Sequence, residues 1–342
     1  LSKNINDGTL TMTPFVQLGL GPLGQNMVRY ALKRPNLKLV AAVDPDPAKV
    51  GMDVGILCGG KAIGVLVEPA LPAFNPKSRH CPRVAVLSTV SSMEQLAPQA
   101  IAAAQAGLHV VSTCEELSYP WQTQPALSKK LDRLFKKHSL ACVGTGINPG
   151  FLMDYLPSVL TSICQEVDQV RVVRCQDAAH RRVPFQMKIG AGLTVGEFKA
   201  KAKAGTLRHV GLVESVHMVA AALGLKLDKT TETLRPIIAE CAINTGHMPI
   251  AKGMAAGVEQ IGKGYVGRRV VIELKFSAAV GLKEPHDTIE IKGSPSIIST
   301  VPGGVNGDVA TCAITLNAIE SIQRVKPGLV TMLDLPAPSA RR

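Results

Sequence analysis

The chain has 342 residues, 46% of them hydrophobic, 19% charged and only 4% aromatic, with a formal net charge of +12. That length accommodates two domains with substantial cores, and no uninterrupted apolar run approaches the roughly 18 residues of a membrane-spanning helix, so a soluble protein independent of membranes is expected. The positive charge is dispersed: its densest patches, KKLDRLFKK (129–137) and FKAKAKAG (198–205), read as exposed helix faces, and with so few aromatics for base stacking no nucleic acid partner is expected.

Residues 1–12 lack a long apolar segment and are set aside as a leader or remnant, with Met12 a candidate natural start. FVQLGLGPLGQNMVRYALKR (15–34) opens with an apolar run, passes three glycines, and continues with Met27, Val28, Ala31 and Leu32 at helical spacing: strand, turn, helix. NLKLVAAVD (36–44) and RVAVLST (83–89) follow as strands, MEQLAPQAIAAAQAG (93–107) as a helix, and LHVVST (108–113) as a strand. After Trp121 a helix with basic faces leads to SLACVGTGINPGF (139–151), an apolar run stopped by glycine and proline. Near-continuous apolar strands separated by helices indicate a parallel sheet covered on both faces, over residues 13–148.

From about Val167 the pattern changes. QVRVVRCQ (169–176), RRVVIELKFSAAVG (268–281) and DTIEIKG (287–293) alternate apolar with charged residues, which predicts an open, mostly antiparallel or mixed sheet with one open face. A second, α+β domain is therefore expected over 149–304, for substrate binding and dimerisation, with a helix through HVGLVESVHMVAAALGL (209–225). PGGVNGDVATCAITLNAIESIQ (302–323) reads as a glycine-rich turn and an amphipathic helix, in a segment of about 305–342 that returns to cover the first domain. The open sheet face suggests a homodimer.

Gly19, Gly21 and Gly24 form Gly-x-Gly-x-x-Gly between a strand and a helix, and Asp44 ends the next strand. This context identifies a dinucleotide-binding turn of the Rossmann type in a doubly wound α/β domain: Gly19 permits the tight turn, Gly21 lets backbone approach a pyrophosphate, and Gly24 allows close helix-to-strand packing. Leu20, Pro22 and Leu23 complete the loop, whose helix N-terminus offers N–H groups to the anion. Asp44 is suited to a ribose 2′-hydroxyl and opposes a 2′-phosphate, which slightly favours NAD, while Lys49 nearby suits NADP. Thr89, Val90 and Ser91 would flank the cofactor at the next strand end, or simply cap the following helix.

STCEELSYPW (112–121) sets Glu115 and Glu116 at the carboxyl end of a parallel strand, where ligands of open α/β sheets bind. Neighbouring residues point to opposite sides, so one of the two is expected to face the nicotinamide. Leu117, Tyr119 and Trp121 are expected to shield it from water, as proton transfer favours; on a plainer reading both glutamates line a solvated turn and Trp121 belongs to the core. In GTGINPGF (144–151), Asn148 is a candidate for a carboxamide or substrate and Pro149 for the nicotinamide face. The eight cysteines form no Cys-x-x-Cys pair and the eight histidines show no His-x-x-x-His spacing, so neither a metal nor a dithiol centre is expected and a cytoplasmic setting fits.

Taken with STCEELSYPW, the segments GTGINPGFLMDYLP (144–157), RCQDAAHRRVPFQMKIGAGLT (174–194), GLVESV (211–216) and VPGGVNGDVATCA (301–313) resemble the 2,4-diaminopentanoate dehydrogenases and native amine dehydrogenases, over about residues 14–335. The resemblance implies an N-terminal domain like that of dihydrodipicolinate reductase and NAD(P)H-dependent reductive amination of a ketone or aldehyde with ammonia, or the reverse deamination. It implies a catalytic glutamate in the Cys-Glu-Glu segment. Matching His109, Val110 and Val111 to related dehydrogenases favours Glu115, with Glu116 the alternative. Asn148, Phe151, Met153, His180, Arg182 and Asn306 are then expected at the substrate or cofactor, and His180, Arg181 or Arg182 would meet a substrate carboxylate. The competing readings are an ammonia-independent imine or ring double-bond reductase and a non-catalytic dinucleotide sensor.

Overall fold

The computed structural model describes residues 12–75, 77–78, 80–179, 183–207, 209–244 and 249–340. Its backbone divides into two units, residues 1–146 with 308–342 and residues 147–307. In the first unit the apolar runs are strands β1 (Thr13–Leu18), β2 (Leu37–Val43), β3 (Val67–Glu68), β4 (Val84–Leu87), β5 (His109–Ser112) and β6 (Ala141–Gly144), interleaved with helices α1 (Pro22–Ala31), α2 (Val54–Leu57), α3 (Met93–Gln105) and α4 (Pro125–Lys137). The strands are parallel throughout and ordered β6-β5-β4-β1-β2-β3. All four residues of β4 are wholly buried, which is why the sequence shows no alternation there. In α1, Met27, Val28 and Ala31 turn inward; in α4, Leu131 and Phe135 are buried while Lys129, Lys130 and Lys137 face outward. The strand order reverses between β1 and β4, and at such a switch point a crevice opens at the carboxyl ends of the strands.

The second unit contains α5 (Tyr155–Leu160), β7 (Glu166–Asp177), α6 (Val183–Lys188), α7 (Val195–Lys203), α8 (Leu212–Ala222), β8 (Lys229–Ile238), β9 (Ile243–Asn244), β10 (Pro249–Ile250), β11 (Ala255–Val266), β12 (Arg269–Ala279), β13 (His286–Ser294) and β14 (Ile297–Pro302). Its main sheet runs β14-β13-β7-β12-β11-β8 and is mixed: β7 and β12 are parallel and the other pairs antiparallel. Helix α8 is shorter than the apolar run suggested, because Gly211 takes a left-handed conformation at its N-cap. One sheet face packs under α8; β11 brings glycine there, and a Cβ at Gly262 would stand 3.1 Å from Leu212 Cγ. The other face carries an ion-pair ladder in which Arg171 bridges Glu273 and Glu290, Lys263 joins Glu273, and Lys275 meets Glu259.

Arg174 breaks that division. It lies on the covered face, 1% exposed, against Asp287, and donates to the Val305 carbonyl at 2.9 Å. Gln176 donates to the same carbonyl, and the Val305 N–H donates to Asp287 at 2.7 Å. The glycine-rich turn before the last helix is thus held at both the N–H and the carbonyl of Val305. The chain then forms α9 (Gly307–Ser321) and β15 (Gly328–Val330), a seventh parallel strand beside β6 among the described residues. No helix among the described residues is long and apolar enough to cross a membrane.

Candidate active site

The glycine turn shows three different demands at its three positions. Gly19 has φ of +86°, and an added Cβ would lie 2.7 Å from the Ser88 carbonyl oxygen at the end of β4. At Gly24 an added Cβ would lie 1.9 Å from the Gly19 carbonyl oxygen, so helix and strand approach as only glycine allows. Gly21 differs: nothing stands within 4 Å of where its Cβ would be. The fold leaves open space there, at the N-terminus of α1, whose first turn holds no acidic residue. This cradle suits the pyrophosphate of a dinucleotide, with backbone N–H groups and the positive helix end directed at it.

Asp44 is 7% exposed at the end of β2. Its Oδ2 accepts from the Leu20 N–H at 2.8 Å and from Lys49 Nζ at 3.0 Å, and its Oδ1 accepts from the Asp46 N–H at 3.0 Å. Burial opposes ionisation, but the Leu20 N–H, the Lys49 ammonium and the Asp46 N–H together outweigh it and hold the carboxyl below its ordinary value. The carboxylate therefore braces the glycine turn through Leu20 while Lys49 offsets its charge. Thr89 is exposed and donates to Gln99 Oε1 at 2.8 Å, whereas Val90 and Ser91 are partly buried.

Glu115 and Glu116 open a 3-10 turn, Glu115–Leu117, at the carboxyl end of β5. Both are partly buried. Glu116 Oε2 accepts from the Met93 N–H, in the first turn of α3, at 2.8 Å. The Glu116 N–H and Cys114 Sγ both donate to the Ser91 carbonyl, at 3.3 and 3.1 Å. On the other side, Ser118 Oγ donates to the Glu115 carbonyl at 2.9 Å. A Cβ at Gly144, on β6, would come within 2.5 Å of the Leu117 carbonyl carbon. Of the residues expected to shield the pair, Leu117 is wholly buried and Trp121 packs against the same core. Tyr119 is pushed above its ordinary value by burial and by the Asp334 carboxylate.

In the second unit, Asn148 is 9% exposed, and neither amide atom has a hydrogen-bond partner among the described residues. Its turn is fixed from beneath. Asp154, wholly buried, accepts from the Gly150 N–H at 2.8 Å, from Ser215 Oγ at 2.7 Å and from the Tyr155 N–H at 2.7 Å, and Pro149 packs so close to Gly211 that a Cβ there would stand 2.4 Å from the ring. Phe151 is partly buried, its ring 5.9 Å from that of Tyr155. Met153 is wholly buried among core residues of this unit, a packing position rather than an accessible wall. Asn306 is exposed, on the turn held by Arg174 and Asp287. His180, Arg181 and Arg182 lie outside the described residues. Sequence reasoning missed Asp154 and Ser215; an acidic residue four positions after Gly150 and ahead of a short helix was the available signal.

Residues 151–342 match the family model for the 2,4-diaminopentanoate dehydrogenase C-terminal domain. The whole chain is 30% identical to the 2,4-diaminopentanoate dehydrogenase of Acetoanaerobium sticklandii, with 94% of this chain and 93% of that protein aligned. The chain belongs to the 2,4-diaminopentanoate dehydrogenase family. It is 24% identical to an amine dehydrogenase of Streptomyces virginiae over 95% of this chain and 96% of that one. The solved amine dehydrogenase of Mycobacterium smegmatis superposes with a TM-score of 0.82 at 26% identity, covering 96% of this chain and 97% of the other. Membership makes the protein an oxidoreductase of the amine dehydrogenase type, with a Rossmann-type unit whose glycine turn fits a nicotinamide dinucleotide.

Proposed function

We propose that the protein catalyses the reductive amination of a ketone or aldehyde with ammonia, and the reverse deamination of an amine, with Glu115 as the residue that moves protons. The observation that carries this assignment is the place of Glu115, partly buried and first in the 3-10 turn that follows β5, at the carboxyl edge of the parallel sheet where ligands of open α/β folds bind. A bound nicotinamide supplies or receives the hydride. The Glu115 carboxylate takes a proton from ammonium, freeing the lone pair to add to the carbonyl carbon. A proton then passes from the added nitrogen to the oxygen to give the carbinolamine, and the Glu115 carboxyl returns its own proton to that hydroxyl so that the C–O bond breaks and water leaves. The same negative charge favours the iminium cation that remains.

Gly19 to Gly24 would hold the pyrophosphate and Asp44 the adenosine ribose. Asn148, with a donor and an acceptor both unpartnered among the described residues, is matched to a primary carboxamide. NAD is the favoured form because Asp44 stays ionised, with Lys49 moderating its opposition to a 2′-phosphate. The amine 2,4-diaminopentanoate, after which the Acetoanaerobium enzyme is named, belongs in the substrate panel.

The test follows oxidation of NADH and NADPH with small ketones and aldehydes, each with and without ammonium, in wild type and Glu115→Gln. Ammonium-dependent oxidation that falls at least ~100-fold in the variant is the expected result. Oxidation indifferent to ammonium would instead identify an imine or double-bond reductase, and full activity in Glu115→Gln would remove Glu115 from the mechanism.

A further inference from the structure

Helix α3 has no cap of its own. Its N-cap residue, Ser92, makes no side-chain hydrogen bond to the helix, although serine at this position ordinarily accepts from the first turn. The acceptor comes from another βα crossover, as Glu116 Oε2, 2.8 Å from the Met93 N–H. Met93 is wholly buried, so without Glu116 that donor loses its partner in a setting where water does not readily replace it. The positive end of the helix also accommodates the negative charge. Two further bonds run in parallel, from the Glu116 N–H and Cys114 Sγ to the Ser91 carbonyl. The turn bearing Glu115 is thus strapped to residues 91–93, directly after the Thr89–Ser91 segment that flanks the dinucleotide end of β4.

We propose that Glu116 is a positioning residue, whose carboxylate fastens the Glu115 turn to the start of α3 and thereby fixes where the Glu115 side chain stands. The inference rests on the reading of Glu115 as the proton-transfer group. Because the two residues are adjacent, a rotation that releases Glu116 from Met93 rotates Glu115 as well. The two bonds to the Ser91 carbonyl locate the turn, and the Glu116 carboxylate bond sets its orientation about that attachment. Helix capping alone would make Glu116 replaceable by any other cap; positioning does not.

That difference is measurable in the cofactor-loaded enzyme, using the ammonium-dependent assay, thermal unfolding, and quenching of Trp121, the single tryptophan, to follow cofactor binding. Glu116→Gln keeps an oxygen acceptor for Met93 and should retain kcat within about threefold, whereas Glu116→Ala should lose ~10- to 100-fold in kcat with cofactor Kd nearly unchanged. The double variant Glu116→Ala with Ser92→Asp gives α3 a cap of its own. It should regain the melting temperature but not kcat. Recovery of kcat together with stability would show Glu116 to be a cap only and overturn the inference, as would wild-type kcat in Glu116→Ala. If Glu116→Ala does not fold, the capped double variant carries the same comparison. A dead Glu116→Gln beside an active Glu115→Gln would overturn the inference and the Glu115 assignment together, while a dead Glu115→Gln with wild-type kcat in Glu116→Ala would overturn the inference alone.

Discussion

Replacing Gly144 by alanine should disable catalysis by displacing the turn that bears Glu115. The residue ends β6, and its Cβ would lie 2.5 Å from the Leu117 carbonyl carbon, 2.7 Å from the Ser118 nitrogen and 2.8 Å from the Leu117 oxygen. All three are backbone atoms, so no rotamer change relieves the overlap. Restoring ordinary contact at 3.4 Å requires the turn to move by about 0.9 Å, and a displacement near 1 Å of a catalytic group costs ~100-fold in rate. That corresponds to ~2.7 kcal/mol of barrier, with ~1–3 kcal/mol of stability lost to overpacking. Steady-state kcat in the ammonium-dependent assay, Trp121 quenching and a melting curve on the same preparation read rate, cofactor affinity and stability in turn. Cofactor affinity should hold, because the glycine turn lies across β5, β4 and β1 from β6. A folded Gly144→Ala enzyme with kcat within threefold of wild type would refute the argument that the turn is seated against β6.

Gly21→Ala should do the reverse: the fold has room for the methyl group, so unfolding stability stays within the ~0.5 kcal/mol of an ordinary surface change, while cofactor Kd rises ~10-fold or more, as titration would show. Lys49→Met should raise preference for NADH over NADPH by roughly three- to tenfold, read as the ratio of kcat/KM values, because Asp44 is left unneutralised. It should also shift acid unfolding. The folded-state value of Asp44 is depressed, so its stabilisation is present above the unfolded value and lost as pH falls through the folded one; without Lys49 the loss sets in at higher pH. Arg174→Met strands Asp287, whose carboxyl burial already pushes up in spite of Arg174, and should cost ~3–5 kcal/mol in urea unfolding, much of it regained in Arg174→Met with Asp287→Leu.

The dinucleotide turn was legible in sequence because close backbone approach leaves a residue-type signature: Gly19 and Gly24 admit no Cβ. The glutamate pair was legible for its position at a strand end, yet the bond that engages Glu116 was not. Glu116 is partnered by a backbone N–H at Met93, and every residue type but proline carries that donor. Strand β11 left little trace for the opposite reason. Its glycines at 257, 262 and 264 accommodate neighbouring backbone and the side chains of Leu212, Val216 and Leu227, and they dilute the alternation that marks a strand. In QVRVVRCQ both arginines read as residues of an open face. Arg171 is one, in the charge ladder; Arg174 lies three positions on and therefore faces the covered side, where Asp287 and the Val305 carbonyl receive its charge.

The order in which the chain is made gives β15 a role in time. Strands β1 to β6 precede the second unit in the chain, yet their sheet is completed by Gly328–Val330, which pair with β6 after all of residues 147–307 have intervened. Glu320 bonds Asn36, Asn317 bonds Arg34, and the Leu329 N–H bonds Asp132, so the late segment is attached at several points. A ribosome-bound chain that has released β1 to β6 presents β6 as a bare sheet edge until the last strand emerges, and such an edge is open to pairing with another chain. The insertion of one unit within the other thus leaves the dinucleotide-binding sheet incomplete until the segment that follows the inserted unit has been made.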